Sequence, residues 1–311
     1  MQLIKKFLAK TIYKDYQIEV ASADASFRRY FRISKDEQSF IVMDSSREKE
    51  SLKPFVNVTK KLLEVDVDAP KIYLENQKEG FLILEDFGSI DLLTSLNEDN
   101  FKKYYKIAID EIVKMQNADV NNLPLYDEKF LKFEMSLMKE WFLDKYIEDE
   151  NYDSQMIEKT LDIIAKEVLL QPQGYFVHRD FHSRNIMLRA EDKLGIIDYQ
   201  DAMNGSITYD LVSLLRDLYI KFDSKDIEEL ALYFRDLIGC DASDEEFMRW
   251  FDFMGMQRHI KVLGIFARLY LRDGKDGYLK DLPLTLQYIL ESASKYDETS
   301  ELYGYLKTIK L

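Results

Sequence analysis

Three oxygen-bearing side chains stand close together in the interval YFVHRDFHSRNIMLRAEDKLGIIDYQDA, residues 175–202: Asp180, Asn185 and Asp198. Asp180 follows a strand-like run and can accept a proton from a hydroxyl. Asn185, five residues on, offers an amide oxygen at the far end of the same loop. Asp198 comes directly after the apolar run Gly195–Ile197, which delivers a carboxylate at a rigid strand end, and Asp201 adds a second carboxylate facing the same site. A proton acceptor combined with hard oxygen donors is what transfer of a γ-phosphoryl group from ATP requires, the donors holding Mg²⁺. Taken singly these signals are weak, since a carboxylate after a strand is often only a turn or a helix cap. The spacing H-x-D-x-x-x-x-N, followed by an apolar hairpin and then I-D, is far harder to meet by chance. His178 reads as a structural residue that hydrogen-bonds the loop backbone. His178 and His182 form H-x-x-x-H, but no glutamate or cysteine completes a zinc site. Asp210, in ITYDLVSLLRD, precedes a strongly apolar helix and reads as its N-cap.

The remaining sequence must build the elements that position these groups. After a short N-terminal helix, Tyr16–Ser22, Ser26–Ser34 and Ser39–Ser45 are rich in β-branched and aromatic residues and are separated by short polar breaks. The chain then takes helical spacing as far as Val65, with Pro54 in the first turn and Leu52, Phe55, Val56, Thr59, Leu62 and Leu63 on one face. Lys71–Glu75 and Phe81–Phe87 read as two further strands. From residue 90 the pattern is mostly helical, through about 98–118, 127–148 and 155–170. A β-rich interval at 175–198 contains the predicted hairpin Ile186–Arg189 to Leu194–Ile197, and helices resume from 208. Met256–Arg272 reads as a helix with Val262, Ile265, Phe266 and Leu269 in its core stripe and Arg258, His259 and Arg268 as polar exceptions. The pattern predicts an α+β chain of two lobes: a small antiparallel five-stranded sheet lobe with one helix, and a larger, mostly helical lobe.

Composition narrows the partners. With 43 basic and 57 acidic residues the net charge is −14, which repels nucleic-acid phosphates and anionic membranes and favours a small-molecule substrate. Cys240 is the one cysteine, so neither an internal disulfide nor a thiolate cluster can form. The N-terminus MQLIKKFLAKTIYKDY is interrupted by lysines and reads as neither a signal peptide nor a membrane span. A cytoplasmic location follows as the expectation, with no stable protein partner implied.

The sequence resembles the aminoglycoside phosphotransferase and choline kinase branch of the protein-kinase-like fold. Within that branch it is similar to the anomeric kinases of N-acetylmuramate and N-acetylglucosamine that serve bacterial cell-wall recycling. The residues that carry the resemblance are DASFRRYFRI at 24–33, FIVMDSSREKE at 40–50, FLILEDFG at 81–88, HRDFHSRNIM at 178–187, IIDYQDAMNGSITYDLVSLLRD at 196–217 and QRHIKVLGIFARLYLRDGKDGYLKDLP at 257–283. The resemblance implies a bilobal fold with a nucleotide-binding lobe at 1–87, a catalytic and substrate-binding lobe at 88–311 and a hinge near 85–89. It implies ATP-dependent phosphorylation of the sugar's C1 hydroxyl, with Asp180 accepting the proton, Asn185 and Asp198 holding Mg²⁺, and Asp210 bracing the loop. Groups around Glu85 and Phe87 would meet the adenine edge, and Gly88 would permit the turn. LEDFG then contains a DFG by coincidence: it precedes the catalytic loop, whereas the magnesium-binding DFG of protein kinases follows it.

Two departures from the broad kinase pattern bear on the phosphates. The loop ASADASFRRY has no glycine, which leaves the amides near Ser26 and Phe27, with Arg28 or Arg29, to meet phosphate. Met43 stands near where a phosphate-binding lysine is expected, so Lys49 or an arginine must substitute, or metal alone must serve. For the sugar, Asp201, Arg258, His259 and Arg268 are the candidates, because a muramic acid carboxylate requires a cation and arginine offers a two-pronged donor. Ion pairing within this acidic chain is the alternative role for each arginine. Two other functions stay open: a small-molecule kinase of the same fold acting on an aminoglycoside, choline or an amino-alcohol, or a pseudokinase that only binds nucleotide.

Overall fold

A computed structural model of the chain describes residues 1–22 and 28–311. These form two compact units, Met1–Ser95 with Asn185–Asp201, and Leu96–Arg184 with Ala202–Leu311. The first unit is built on strands β1 (Gln17–Ser22), β2 (Arg29–Lys35), β3 (Gln38–Asp44), β4 (Ile72–Asn76) and β5 (Phe81–Glu85). They form the predicted five-stranded sheet in the order β1-β2-β3-β5-β4, every neighbouring pair antiparallel. Register aligns Phe31 with Val42 and Val42 with Ile83, so one face presents a continuous apolar row. Helix α1 (Gln2–Leu8) covers that row with Ile4, Phe7 and Leu8, and the Phe7 and Phe81 rings stack at 4.6 Å.

Helix α2 (Leu52–Glu64) buries Leu52, Phe55, Val56, Val58, Thr59 and Leu62. Leu63, placed on the buried face by spacing, is instead 36% exposed, and Val58 is buried: the buried face is rotated slightly about the helix axis. A short helix, α3 (Leu92–Ser95), ends the first segment of this unit.

The second unit contains α4 (Phe101–Gln116), α5 (Glu128–Leu137) with a π-helical continuation over Met138–Ile147, α6 (Ser154–Leu170), and strand β6 (Gln173–Val177). The predicted hairpin is β7 (Ile186–Leu188) with β8 (Leu194–Ile196), and it belongs to the first unit. Strand β9 (Met203–Ser206) follows and pairs antiparallel with β6. It occupies a stretch that the sequence reads as loop running directly into a helix, because MNGS has no strand pattern of its own and is ordered by its partner. Helices α7 (Tyr209–Leu215), α8 (Ser224–Leu237), α9 (Asp244–Asp273), α10 (Leu282–Ala293) and α11 (Ser300–Leu306) complete the unit.

Helix α9 is its axis. It starts at the Ser243 cap, whose side chain accepts from the Glu246 amide, well before the apolar stripe begins. Every residue from Phe251 to Gly264 is buried, because α5, α6, α7, α8 and α10 all pack on it. Polar side chains within this stretch must therefore find partners inside the protein. Among the described residues no helix is long and apolar enough to cross a membrane.

Candidate active site

The loop after β6 carries Asp180 in the helical unit. His178 is buried, and its amide donates to the Asp210 carboxylate at 2.7 Å; the Arg179 amide donates to the other Asp210 oxygen at 3.1 Å. Asp210 lies inside the first turn of α7, one residue past its start, so its carboxylate serves the loop. These bonds hold Arg179 at φ +79°, a left-handed conformation that costs a non-glycine residue about 1–2 kcal/mol. The loop's far end is tied in the same way: the Ser183 amide donates to Asp217 at 2.8 Å. Two buried carboxylates thus fix the backbone on both sides of Asp180. Burial raises both of them, Asp210 to about 6.

Below the loop lies a polar cluster that sequence spacing does not reveal. The Arg179 guanidinium donates to Glu134 on α5 at 2.5 Å, and Glu134 also accepts from the Tyr126 hydroxyl. Lys261 on α9, 4% exposed, donates to the Tyr209 hydroxyl at 2.8 Å and stands 3.6 Å from Glu134. Burial opposes ionisation of Asp180, but the charges of Lys261, His182, Arg258 and Arg179 outweigh it and bring the carboxyl down to about 2. His182 is itself pushed down to about 3 by burial, so its charge acts on Asp180 only in that acid range and is absent at pH 7. Asp180 is therefore a permanent carboxylate near neutral pH.

The other sequence candidates of this unit are distributed along α9. Arg258, 1% exposed, donates to Ser213 Oγ at 2.6 Å. His259 is buried with its ring nitrogens 2.6 Å from the Gly255 carbonyl and 3.1 Å from the Arg216 carbonyl. Burial holds it at about 3, so only one of the two nitrogens carries a proton to donate. Arg268 is partly buried, and its Nε has no hydrogen-bond partner.

In the sheet unit, β7 and β8 place Asn185 and Asp198 at one end of a hairpin. The Ile197 amide donates to the Asn185 carbonyl at 3.1 Å, and Asn185 Nδ2 lies 3.4 Å from Asp198 Oδ2. Asp198 is exposed and takes φ +68°. Its turn is anchored by Tyr199, which is buried beneath α2, stacks on Phe55 at 5.2 Å and shares a 2.8 Å hydrogen bond with Thr59. Gln200 Nε2 donates to Asp198 at 2.9 Å and to Asp201 at 3.3 Å. An amide oxygen and an exposed carboxylate on adjoining strands fit Mg²⁺, which needs few protein ligands when phosphates and water supply the rest. The described residues contain no group of three or more His, Cys, Asp or Glu side chains placed to hold a metal. That absence concerns a closed cage, which Mg²⁺ does not require.

The LEDFG stretch is occupied by structure. Asp86 forms a two-pronged ion pair with Arg32 at 2.6 and 2.9 Å and accepts from the Gly88 amide at 2.9 Å. Burial acts to raise its carboxyl, and the bonds from Arg32 and Gly88 bring it below the usual range. Gly88 sits at φ +88°, which a residue with a Cβ would adopt only with strain. Arg189, from the hairpin, bonds Asp68 at 2.6 Å and Glu85 at 2.7 Å and lies over the Phe87 ring at 4.2 Å. Phe87 packs so closely on Gly195 that any side chain there would overlap it. Met43 is fully buried, Lys49 bonds the Lys78 carbonyl at 2.9 Å, and Arg29 pairs with Asp44 at 2.5 Å. Arg28 donates to Ser51 at 3.4 Å, while Ser26 and Phe27 lie outside the described residues.

Comparison with known proteins gives these groups a context. A family model described as the phosphotransferase enzyme family, APH, matches residues 17–251. A Neisseria meningitidis serogroup B protein named N-acetylmuramate/N-acetylglucosamine kinase is 37% identical to this chain, over 98% of this chain and 95% of its own length. The solved choline kinase LicA of Streptococcus pneumoniae superposes with a TM-score of 0.66 at 15% identity, covering 93% of this chain and 98% of LicA. The ADP-bound aminoglycoside phosphotransferase APH(2'')-Ib gives a TM-score of 0.61 at 15% identity, covering 94% and 98%. At such identities the two structures establish the fold, which is protein-kinase-like.

Proposed function

This chain belongs to the phosphotransferase enzyme family, and from that premise we propose that it phosphorylates the C1 hydroxyl of N-acetylmuramate or N-acetylglucosamine with ATP, giving the sugar 1-phosphate. It is a phosphotransferase acting on a hydroxyl group. The observation that carries the sugar assignment is the 37% identity, over nearly the full length of both chains, to the Neisseria protein named for that activity.

Asp180 accepts the C1 hydroxyl proton as the sugar oxygen bonds to the γ-phosphorus and the bond to ADP breaks. A carboxyl near 2 is a weak base, which suits a loose transition state in which the proton leaves late. Its charge keeps the hydroxyl oriented as a hydrogen-bond donor throughout the neutral range. Asn185 and Asp198 would hold the magnesium of MgATP, which would supply positive charge to offset that of the phosphate oxygens. The same reading has a hinge near 85–89 between a nucleotide-binding segment 1–87 and a catalytic segment 88–311, with groups around Glu85 and Phe87 meeting the adenine edge. ATP as phosphoryl donor, Mg²⁺ as metal and the cytoplasm as location belong to the same reading.

The test is incubation with MgATP and a panel of N-acetyl sugars, with choline and an aminoglycoside as controls, following ADP release. Turnover restricted to the N-acetyl hexosamines is the predicted result. Turnover of choline or the aminoglycoside in their place would refute the sugar reading and favour the other small-molecule kinases of this fold.

A further inference from the structure

Arg184 closes the catalytic loop, four residues after Asp180. The Asp217 carboxylate that fixes the Ser183 amide also accepts from the Tyr219 amide at 3.0 Å, so one anchor positions both Arg184 and Tyr219. The Arg184 guanidinium lies over the Tyr219 ring, 3.7 Å from its centroid, and His182 meets the same ring edge-on at 5.3 Å. Arg184 and Tyr219 are both partly exposed.

In so acidic a chain an arginine normally finds a carboxylate: Arg179 pairs with Glu134, Arg189 with Asp68, Arg216 with Asp252 and Arg249 with Glu167. Arg184 has no carboxylate within ion-pair distance and no side-chain hydrogen bond among the described residues. Its stacked guanidinium is held in place with its donors unused. Asp281, ahead of α10, has a buried Oδ2 with no hydrogen-bond partner. Burial raises its carboxyl, and the nearby charges of Lys280 and Arg184 oppose that rise, so Arg184 is close enough to act on it without pairing. A stacked donor fork without a carboxylate partner and a buried acceptor oxygen without a donor are thus two unsatisfied groups of the same unit, within range of each other's charge.

We propose that Arg184 binds the carboxylate of an acidic N-acetyl hexosamine while Asp281 accepts from hydroxyls of the same sugar, which makes Arg184 the residue that separates anionic from neutral sugars. The inference rests on the sugar-kinase reading above and deepens it. A triphosphate suits the place poorly, because it brings several negative charges and no donor for Asp281, whereas a sugar acid offers hydroxyl donors to Asp281 and a single anion to Arg184.

The test compares kcat and KM for N-acetylmuramate and N-acetylglucosamine at saturating MgATP in the wild type, Arg184→Gln and Arg184→Lys. The ratio of the two kcat/KM values should fall by roughly 30-fold or more in Arg184→Gln, mainly through KM for N-acetylmuramate, as for a lost charge-assisted hydrogen-bond pair. Arg184→Lys, which keeps the charge without the fork, should fall between. The methyl ester of N-acetylmuramate, lacking the anion, should show no such dependence on residue 184, and this comparison in Arg184→Lys serves if Arg184→Gln does not fold. An equal loss for both sugars, or a rise in KM for ATP alone, would overturn the proposal. Wild-type turnover of N-acetylglucosamine without N-acetylmuramate would also overturn it and leave the sugar reading standing. Turnover of neither would refute both.

Discussion

Asp210→Asn separates the charge of the loop anchor from its shape. The wild-type carboxylate gives one oxygen to each of two amides, at His178 and Arg179. Asparagine keeps one acceptor and turns an NH₂ donor towards the other amide. Burial raises the Asp210 carboxyl from 3.8 to about 6. A carboxyl whose native pKa lies above its unfolded value contributes stability that is full below the unfolded pKa and is lost as pH rises through the native one. A gap of about two pH units corresponds to about 3 kcal/mol, of which about 2 kcal/mol falls between about pH 4.5 and pH 7.5. The variant carries no such term. Relative to the wild type it should gain about 2 kcal/mol between those two pH values, measured by urea unfolding followed by fluorescence. At about pH 7.5 it should nonetheless turn over on the order of 100-fold more slowly, since the left-handed turn before Asp180 loses an anchor. A stability difference from the wild type that is the same at both pH values would refute the claim that Asp210 is a strained, buried anion at neutral pH.

Asp180→Asn should lower kcat by about 10³-fold or more while ATP affinity by calorimetry changes little; an active variant refutes the base role. Because the Asp180 carboxyl lies near 2, the wild-type pH profile should show no acid limb near the ordinary carboxylate pKa, and an apparent pKa near 4 would contradict the field assigned to Lys261, His182, Arg258 and Arg179. Glu134→Gln leaves Arg179 and Lys261 without their buried anion and should destabilise the protein by about 3–5 kcal/mol, read as a fall in Tm; a near-neutral result removes the cluster from the account. Asp198→Ala should raise the Mg²⁺ concentration for half-maximal rate by at least about tenfold, and an unchanged requirement would move the metal elsewhere.

The sheet unit was legible because its signals are local: period-two alternation, polar breaks and Pro54 in a first turn all lie within a few residues of the structure they specify. Strand β9 was not, because Asn204 and Gly205 have no strand preference and are ordered by pairing with Phe176 and Tyr175. The apolar stripe alone starts helix α9 at Met256, too late; the Ser243 cap and the acidic turn Asp244–Glu246 mark its true start. The candidate chemical residues of the loop stand out by type and spacing, since phosphoryl transfer would restrict both. Their supports do not. Glu134 and Lys261 look like ordinary charged positions on two helices far apart in the chain, and only folding brings them within 3.6 Å. Asp217 has only a faint signal, an acid just after the run LVSLL that Asp210 precedes.

The central claim is that the phosphoryl group goes to the anomeric oxygen. Phosphorus NMR of the product made from a sugar labelled with carbon-13 at C1 tests it without relying on any variant. The account predicts a phosphate resonance coupled to the labelled carbon. A phosphate coupled to no labelled carbon, as on a non-anomeric hydroxyl, or no phosphorylated sugar at all, would contradict it.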